Sequence, residues 1–214
     1  MKLNIPTEKP REIPPAGFHY AVCCTVVDLG TQPSPYGAKR QLYIAWEIEE
    51  ASRSKPHIIG KFYNITSNER GLLRQDLESW FGKQLGTAEL GELNLLEVLL
   101  GRTAKLGIMH NVRQDGQSRA TVTSVMPSQD KPEKAQIVSA PIVFGFDDGF
   151  DKQSYDGLPN WLRTIVARSP EYTRAINPES VAETKWQGKK HGTGTTRRAA
   201  QNAVDDLADD EIPF

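Results

Sequence analysis

Cysteine is nearly absent. The two in the chain, Cys23 and Cys24, are adjacent within an apolar run, where neighbouring strand side chains point to opposite faces and a disulfide between them would be strained. A disulfide framework is excluded, and the expectation is two reduced, structural thiols in a cytoplasmic protein. Histidine is scarce: His19, His57, His110 and His191 lie far apart, and no Cys or His pair has metal-ligand spacing. No run approaches the ~20 apolar residues that a membrane helix needs, so the chain is not expected to be membrane-embedded. Residues 1–17 hold Lys2, Lys9 and Arg11 among prolines without an apolar core, which reads as an N-terminal arm rather than a secretory signal. The stretch GKKHGTGTT from Gly188 lacks the ending of a phosphate loop and a strand before it, and reads as a flexible basic linker. Asp147, Asp148, Asp151 and Asp156 match neither a calcium loop nor a paired-metal site. These gaps argue against an enzyme, a metal and a cofactor.

What is present is a charge asymmetry. The formal net charge of −1 conceals residues 1–200, which hold all 26 Lys and Arg against 22 Asp and Glu, and residues 201–214, which hold five acids and no base. Fields are screened beyond ~8–10 Å, so a mildly basic body can meet a polyanion despite the neutral total.

The 214 residues, 38% hydrophobic and 25% charged, suit one folded domain with appendages. Phe18 to Asp28 is rich in β-branched and aromatic residues and predicts a strand. From Lys39 to Glu50, Leu42, Ile44, Trp46 and Ile48 alternate with Gln41, Tyr43, Ala45 and Glu47, the pattern of a half-buried strand. Ile58 to Thr66 predicts a third strand. Ser67 or Asn68 is placed to cap a helix from Glu69 to Phe81 with Leu73, Leu77 and Trp80 on one face. A short helix over Leu93 to Leu100 follows, then strands over Arg102 to His110 and Gln117 to Met126 around the turn pair Asp115-Gly116. Mainly β, with five strands and a helix between the third and fourth, is the layout of an OB-fold barrel over 18–126, although a plain five-stranded α+β domain reads the same way. Residues 127–176 read as a linker and a helix from Pro159 to Ser169 packed on the barrel; 177–214 read as a disordered tail.

The last six residues, Asp209, Asp210, Glu211, Ile212, Pro213 and Phe214, place two apolar side chains on an acidic tether, a composition suited to insertion into a basic-rimmed pocket. They resemble the acidic tip of bacterial single-stranded DNA-binding proteins, with Glu211 where aspartate is usual. The body resembles phage-encoded single-stranded DNA-binding proteins with a diverged OB-fold through LLRQDLESWFGK and LPNWLRTIVARSPEY. The resemblance implies a protein that protects single strands during replication, recombination or repair and recruits partner proteins through the tip. Homo-oligomers remain open. A module whose tip mimics that of the host protein is the alternative, and a nuclease or annealing accessory a third.

A single-strand surface needs cations for phosphates and aromatic faces for bases. The residues expected to supply it are Tyr36, Lys39, Arg40, Tyr43, Lys61, Tyr63, Lys105, Arg113 and Arg119. If Leu42, Ile44 and Trp46 face the core, Tyr43 faces out; Phe62 inward would leave Lys61 and Tyr63 outward beside it. Trp46, Trp80 and Trp161 are assigned to cores.

Overall fold

The apolar run near the N-terminus forms a 16-residue strand, β1 (Gly17–Gln32), longer than the expected Phe18 to Asp28. The computed structural model describes residues 12–34, 37–50, 55–66, 68–112 and 116–177. Register shifts at Cys23/Thr25 and Asp28/Gly30 bend β1, and at the second the chain takes a left-handed turn, with Gly30 at φ +68°. A side chain there would also press on Ser169. Only glycine meets both demands.

The strand β2 (Lys39–Ile48) pairs along β1, and β3 (Ile58–Asn64) pairs along β2. After a helical segment come β4 (Thr103–Val112), paired with the first half of β1, and β5 (Ser118–Met126). All these pairings are antiparallel, in the order β3-β2-β1-β4-β5. The two ends of the path, β3 and β5, come within 8 Å between Cα atoms. A sixth strand, β6 (Ile142–Phe144), joins the second half of β1 in parallel. It lies in a stretch whose Gly and Asp content reads as loop.

Between β3 and β4 run α1 (Leu72–Phe81), α2 (Thr87–Glu92) and α3 (Leu95–Leu99). The short helix expected over Leu93 to Leu100 is α3, and α2 before it was not expected. The start of α1 is also later than expected: Gly71 is its N-cap, and the Asn68 side chain accepts from the Arg70 amide at 2.9 Å in the preceding turn. Ser67 lies outside the described residues. The expected stripe Leu73, Leu77 and Trp80 is buried, and Trp80 Nε1 donates to the Thr103 carbonyl at 2.7 Å. That stripe closes a core on Cys23, Ile44, Trp46, Leu106 and Val125.

A second core forms on the other face of β1 and β2. Val27, Leu29, Tyr43 and Ala45 meet Phe144, Leu158, Leu162 and Val166. The last four come from β6, from the turn after α4 (Lys152–Asp156), and from α5 (Asn160–Ala167), which α6 (Pro170–Ile176) follows. Each such apolar side chain contributes ~1.5–3 kcal/mol by burial. The helix from Pro159 therefore packs on the sheet as expected, but its consequence for β2 overturns the half-buried reading. Tyr43, Ala45 and Glu47 are buried as fully as Ile44 and Trp46. Glu47 is accommodated because its carboxylate accepts from the amides of Val138 and Ser139 at 2.6 and 2.8 Å. Both cysteines are buried and free; burial pushes the Cys24 thiol to about 11 and Cys23 well above its ordinary value. Among the described residues no helix is long and apolar enough to cross a membrane.

Candidate nucleic-acid interface

The register of β3 decides where the aromatic side chains go. Tyr43 pairs with Phe62 across the sheet, whereas Lys61 and Tyr63 pair with Ile44 and Leu42, which line the main core. Phe62 therefore faces out, 37% exposed, and Tyr63 faces in, 2% exposed. This reverses the expected orientation of β3, and Tyr43 does not share a face with Lys61 and Tyr63. The reversal is possible because Asp76 on α1 accepts from both Lys61 Nζ and Tyr63 Oη at 2.7 Å, neutralising one buried charge and satisfying one buried hydroxyl. Burial first, then the Asp76 charge and hydrogen bond, raise the Tyr63 phenol far above its ordinary value. Tyr43 faces outward from the main core as expected, yet it is 1% exposed, because Trp161 of α5 packs edge-on against its ring at 5.1 Å. Trp161 is half-buried against the second core, and Trp46 and Trp80 are fully in the first.

Neither Tyr43 nor Tyr63 can reach a ligand without unfolding part of the protein, and the half-buried Lys61 is paired with Asp76. Arg40 is held as well: its guanidinium donates to Asp28 at 2.5 Å and to Asp147 at 2.7 Å, and the Asp28 hydrogen bond in particular raises its pKa. Lys105 lies beside Phe18 and Tyr20 near the opposite end of β1 from Lys39, and Arg119 is exposed on the β4–β5 hairpin. The expected residues thus do not converge on one site. Tyr36, Arg113 and Asp209 to Phe214 lie outside the described residues.

What the structure does assemble is a groove of about 320 Å³ at the open end of the β2–β3 face. The helix α5 covers Tyr43 and Ala45 and reaches the edge of this end, where Trp161 meets the Phe62 ring edge-on at 6.3 Å and leaves it 37% exposed. Lys39 begins β2 here, and Phe62 and Asn64 end β3; Ile65, Arg70 and Leu72 come from the turn into α1. The Gln41 amide donates to Asn64 Oδ1 at 3.0 Å, and the Ile65 amide to the Arg40 carbonyl at 2.8 Å, so the floor is tied across the two strands. Phe62, Ile65 and Leu72 are exposed apolar side chains among polar ones, and Lys39 and Arg70 are exposed cations. An aromatic face flanked by cations can stack a planar base and hold its phosphate. No protein-family model and no curated protein matches the chain.

The wall beside the groove is pinned by the C-terminal extension. Where β1 ends, the Glu171 carboxylate accepts from the Thr31 amide at 2.8 Å and its hydroxyl at 2.7 Å. Gln32 donates to the Leu29 and Ile165 carbonyls at 2.6 and 3.0 Å. Burial alone would raise the Glu171 pKa, but the two Thr31 hydrogen bonds outweigh it and leave the carboxyl below its ordinary value. The ends of the β1–β2 connection, which holds Tyr36, are thus fixed by the Ile165 carbonyl of α5, the Glu171 side chain of α6 and Asp147. Phe62, Arg70, Leu72 and Glu171 carry the site's geometry and were missed in the sequence. The signal available was Asp76, an acid on the same helical face as Leu73 and Trp80, which requires a buried cation or hydroxyl opposite it.

Proposed function

We propose that this protein binds single-stranded DNA in the groove at the open end of β2 and β3, without chemistry, in the cytoplasm, and recruits replication or repair proteins through Asp209 to Phe214. The observation that carries the reading is the exposed Phe62 ring set between Lys39 and Arg70 on a sheet surface that is otherwise covered. The strand order β3-β2-β1-β4-β5, the approach of its two ends and the helix between β3 and β4 support an OB-fold, whose strands 2 and 3 and 1–2 loop form the usual oligonucleotide surface. The groove adjoins that loop. Its partly exposed ring suits unpaired bases, which a duplex keeps stacked.

Binding should therefore be tight for single strands and weak for duplex, and fall with salt at a slope near −0.7 per phosphate contacted. Fluorescence anisotropy with labelled single-stranded and duplex oligonucleotides tests this. Duplex preference or salt-independent affinity overturns it. The docking role of the tip rests on its sequence. Full-length protein should retain a tip-binding repair protein in a pull-down and the variant lacking Asp209 to Phe214 should not; equal retention refutes that role.

A further inference from the structure

A second aromatic and cationic cluster occupies the outer face of β1 and β4, toward the opposite end of β1 from the groove. Phe18 is 67% exposed although it is a large apolar side chain in a paired strand. It faces Gly107 across the ladder, and a Cβ at that position would lie 3.3 Å from Phe18 Cε1 and collide with the Ser124 hydroxyl. Glycine there lets the Phe18 ring lie close over the sheet with its other face to solvent. The Lys105 ammonium stands 5.9 Å from the Phe18 ring centre and 5.7 Å from that of Tyr20, and Lys131 stands 5.3 Å from Tyr20. Lys131 is paired with Glu49 at 2.9 Å, and the Tyr20 hydroxyl donates to Asp130 at 2.8 Å. Among the described residues Lys105 has no carboxylate partner.

We infer that Phe18 and Lys105 form a second subsite for single-stranded DNA, with a base stacked on the open face of Phe18 and a phosphate on the Lys105 ammonium. This rests on the single-strand reading and extends it: a strand longer than the β2–β3 groove would pass around the extension that covers the second half of β1 and reach the second cluster. An exposed ring flanked by an ammonium group is suited to a base and its phosphate. A second copy of the chain fits less well. A symmetric contact through this patch brings the Lys105 and Lys131 ammonium groups of both copies into one interface, concentrating like charge in a desolvated region.

The test is anisotropy with oligodeoxythymidylates from about 8 to about 40 nucleotides, a range chosen to bracket the ~4–16 nucleotides that one OB-fold covers. Wild type, Phe18→Ala, Lys105→Gln and Phe62→Ala are compared, with thermal melts to confirm folding and sedimentation to give the oligomeric state. Phe18→Ala should leave the shortest oligomer's affinity unchanged and weaken the longest by roughly fivefold or more. Lys105→Gln should reduce the magnitude of the salt slope on the long oligomer by ~0.7. If wild type binds and Phe62→Ala weakens it while Phe18→Ala has no effect at any length, the second subsite is refuted and the groove stands. If no oligomer binds wild type, the single-strand reading fails, and the subsite with it. A wild-type dimer that Phe18→Ala converts to monomer would make the patch a self-contact and also overturn the inference.

Discussion

Replacing Glu171 by Gln tests whether the C-terminal extension holds the wall of the groove. The carboxylate accepts two hydrogen bonds from Thr31, at 2.8 and 2.7 Å, and its side chain is only 19% exposed. A hydrogen bond to a charged group contributes ~1.5–3 kcal/mol, against ~0.5–1.5 for a neutral one. Glutamine keeps one acceptor oxygen, so two charged bonds become one neutral bond, and the net loss at neutral pH is about 2–5 kcal/mol. At roughly 2–4 °C per kcal/mol for a domain of this size, the melting temperature should fall by ~4–20 °C. The pH dependence follows from the direction of the shift. Glu171 has a folded pKa below its unfolded value near 4.3. Its contribution is therefore complete above that value and disappears as pH falls through the folded pKa. Thermal melts of wild type and Glu171→Gln from pH 7 to pH 3 should show a constant gap at neutral pH that narrows in the acid limb. A gap that persists undiminished at the acid end, or no gap at pH 7, would refute this account of the anchor.

Tyr43→Ala and Tyr63→Ala should each cost ~3–5 kcal/mol in urea denaturation, the loss expected for emptying a large buried aromatic site. Wild-type stability in either would contradict its burial. Asp147→Asn should leave stability unchanged, because Asp147 is 85% exposed. It removes one of the two negative charges that face Arg40, so single-strand affinity should rise severalfold at low salt and the gain should vanish at high salt; anisotropy at two ionic strengths checks both.

Much of the sheet is legible in the sequence because period-2 alternation and a helical stripe are local signals. Leu42, Ile44, Trp46 and Ile48 share the core face as read, and Leu73, Leu77 and Trp80 meet them from α1. The β3 segment IIGKFYN lacks that alternation. With Phe62 and Tyr63 adjacent, its facing depends on whether Lys61 points to water or to a carboxylate, and Asp76, thirteen residues beyond Tyr63, supplies the carboxylate. The burial of Tyr43 was equally out of reach of local pattern, since it follows from the return of residues 142–177 onto the far face of β1 and β2. The same return explains why β6 was missed: Ile142, Val143 and Phe144 are too few to show a period, and pairing with the bent half of β1 makes them a strand. The expected interface rested on Tyr43 and Tyr63, both of which are buried, whereas Phe62 is the exposed aromatic side chain of β3.

The most direct test is Phe62→Ala. Phe62 is 37% exposed and rests one side of its ring on Tyr43 and Trp161, at 4.8 and 6.3 Å between centroids, so the variant should stay folded with a modestly lower melting temperature while losing ~1–3 kcal/mol of single-stranded DNA affinity, roughly five- to 150-fold, by fluorescence anisotropy at fixed salt. Unchanged affinity in a folded Phe62→Ala protein would contradict the assignment of the β2–β3 groove as the binding surface.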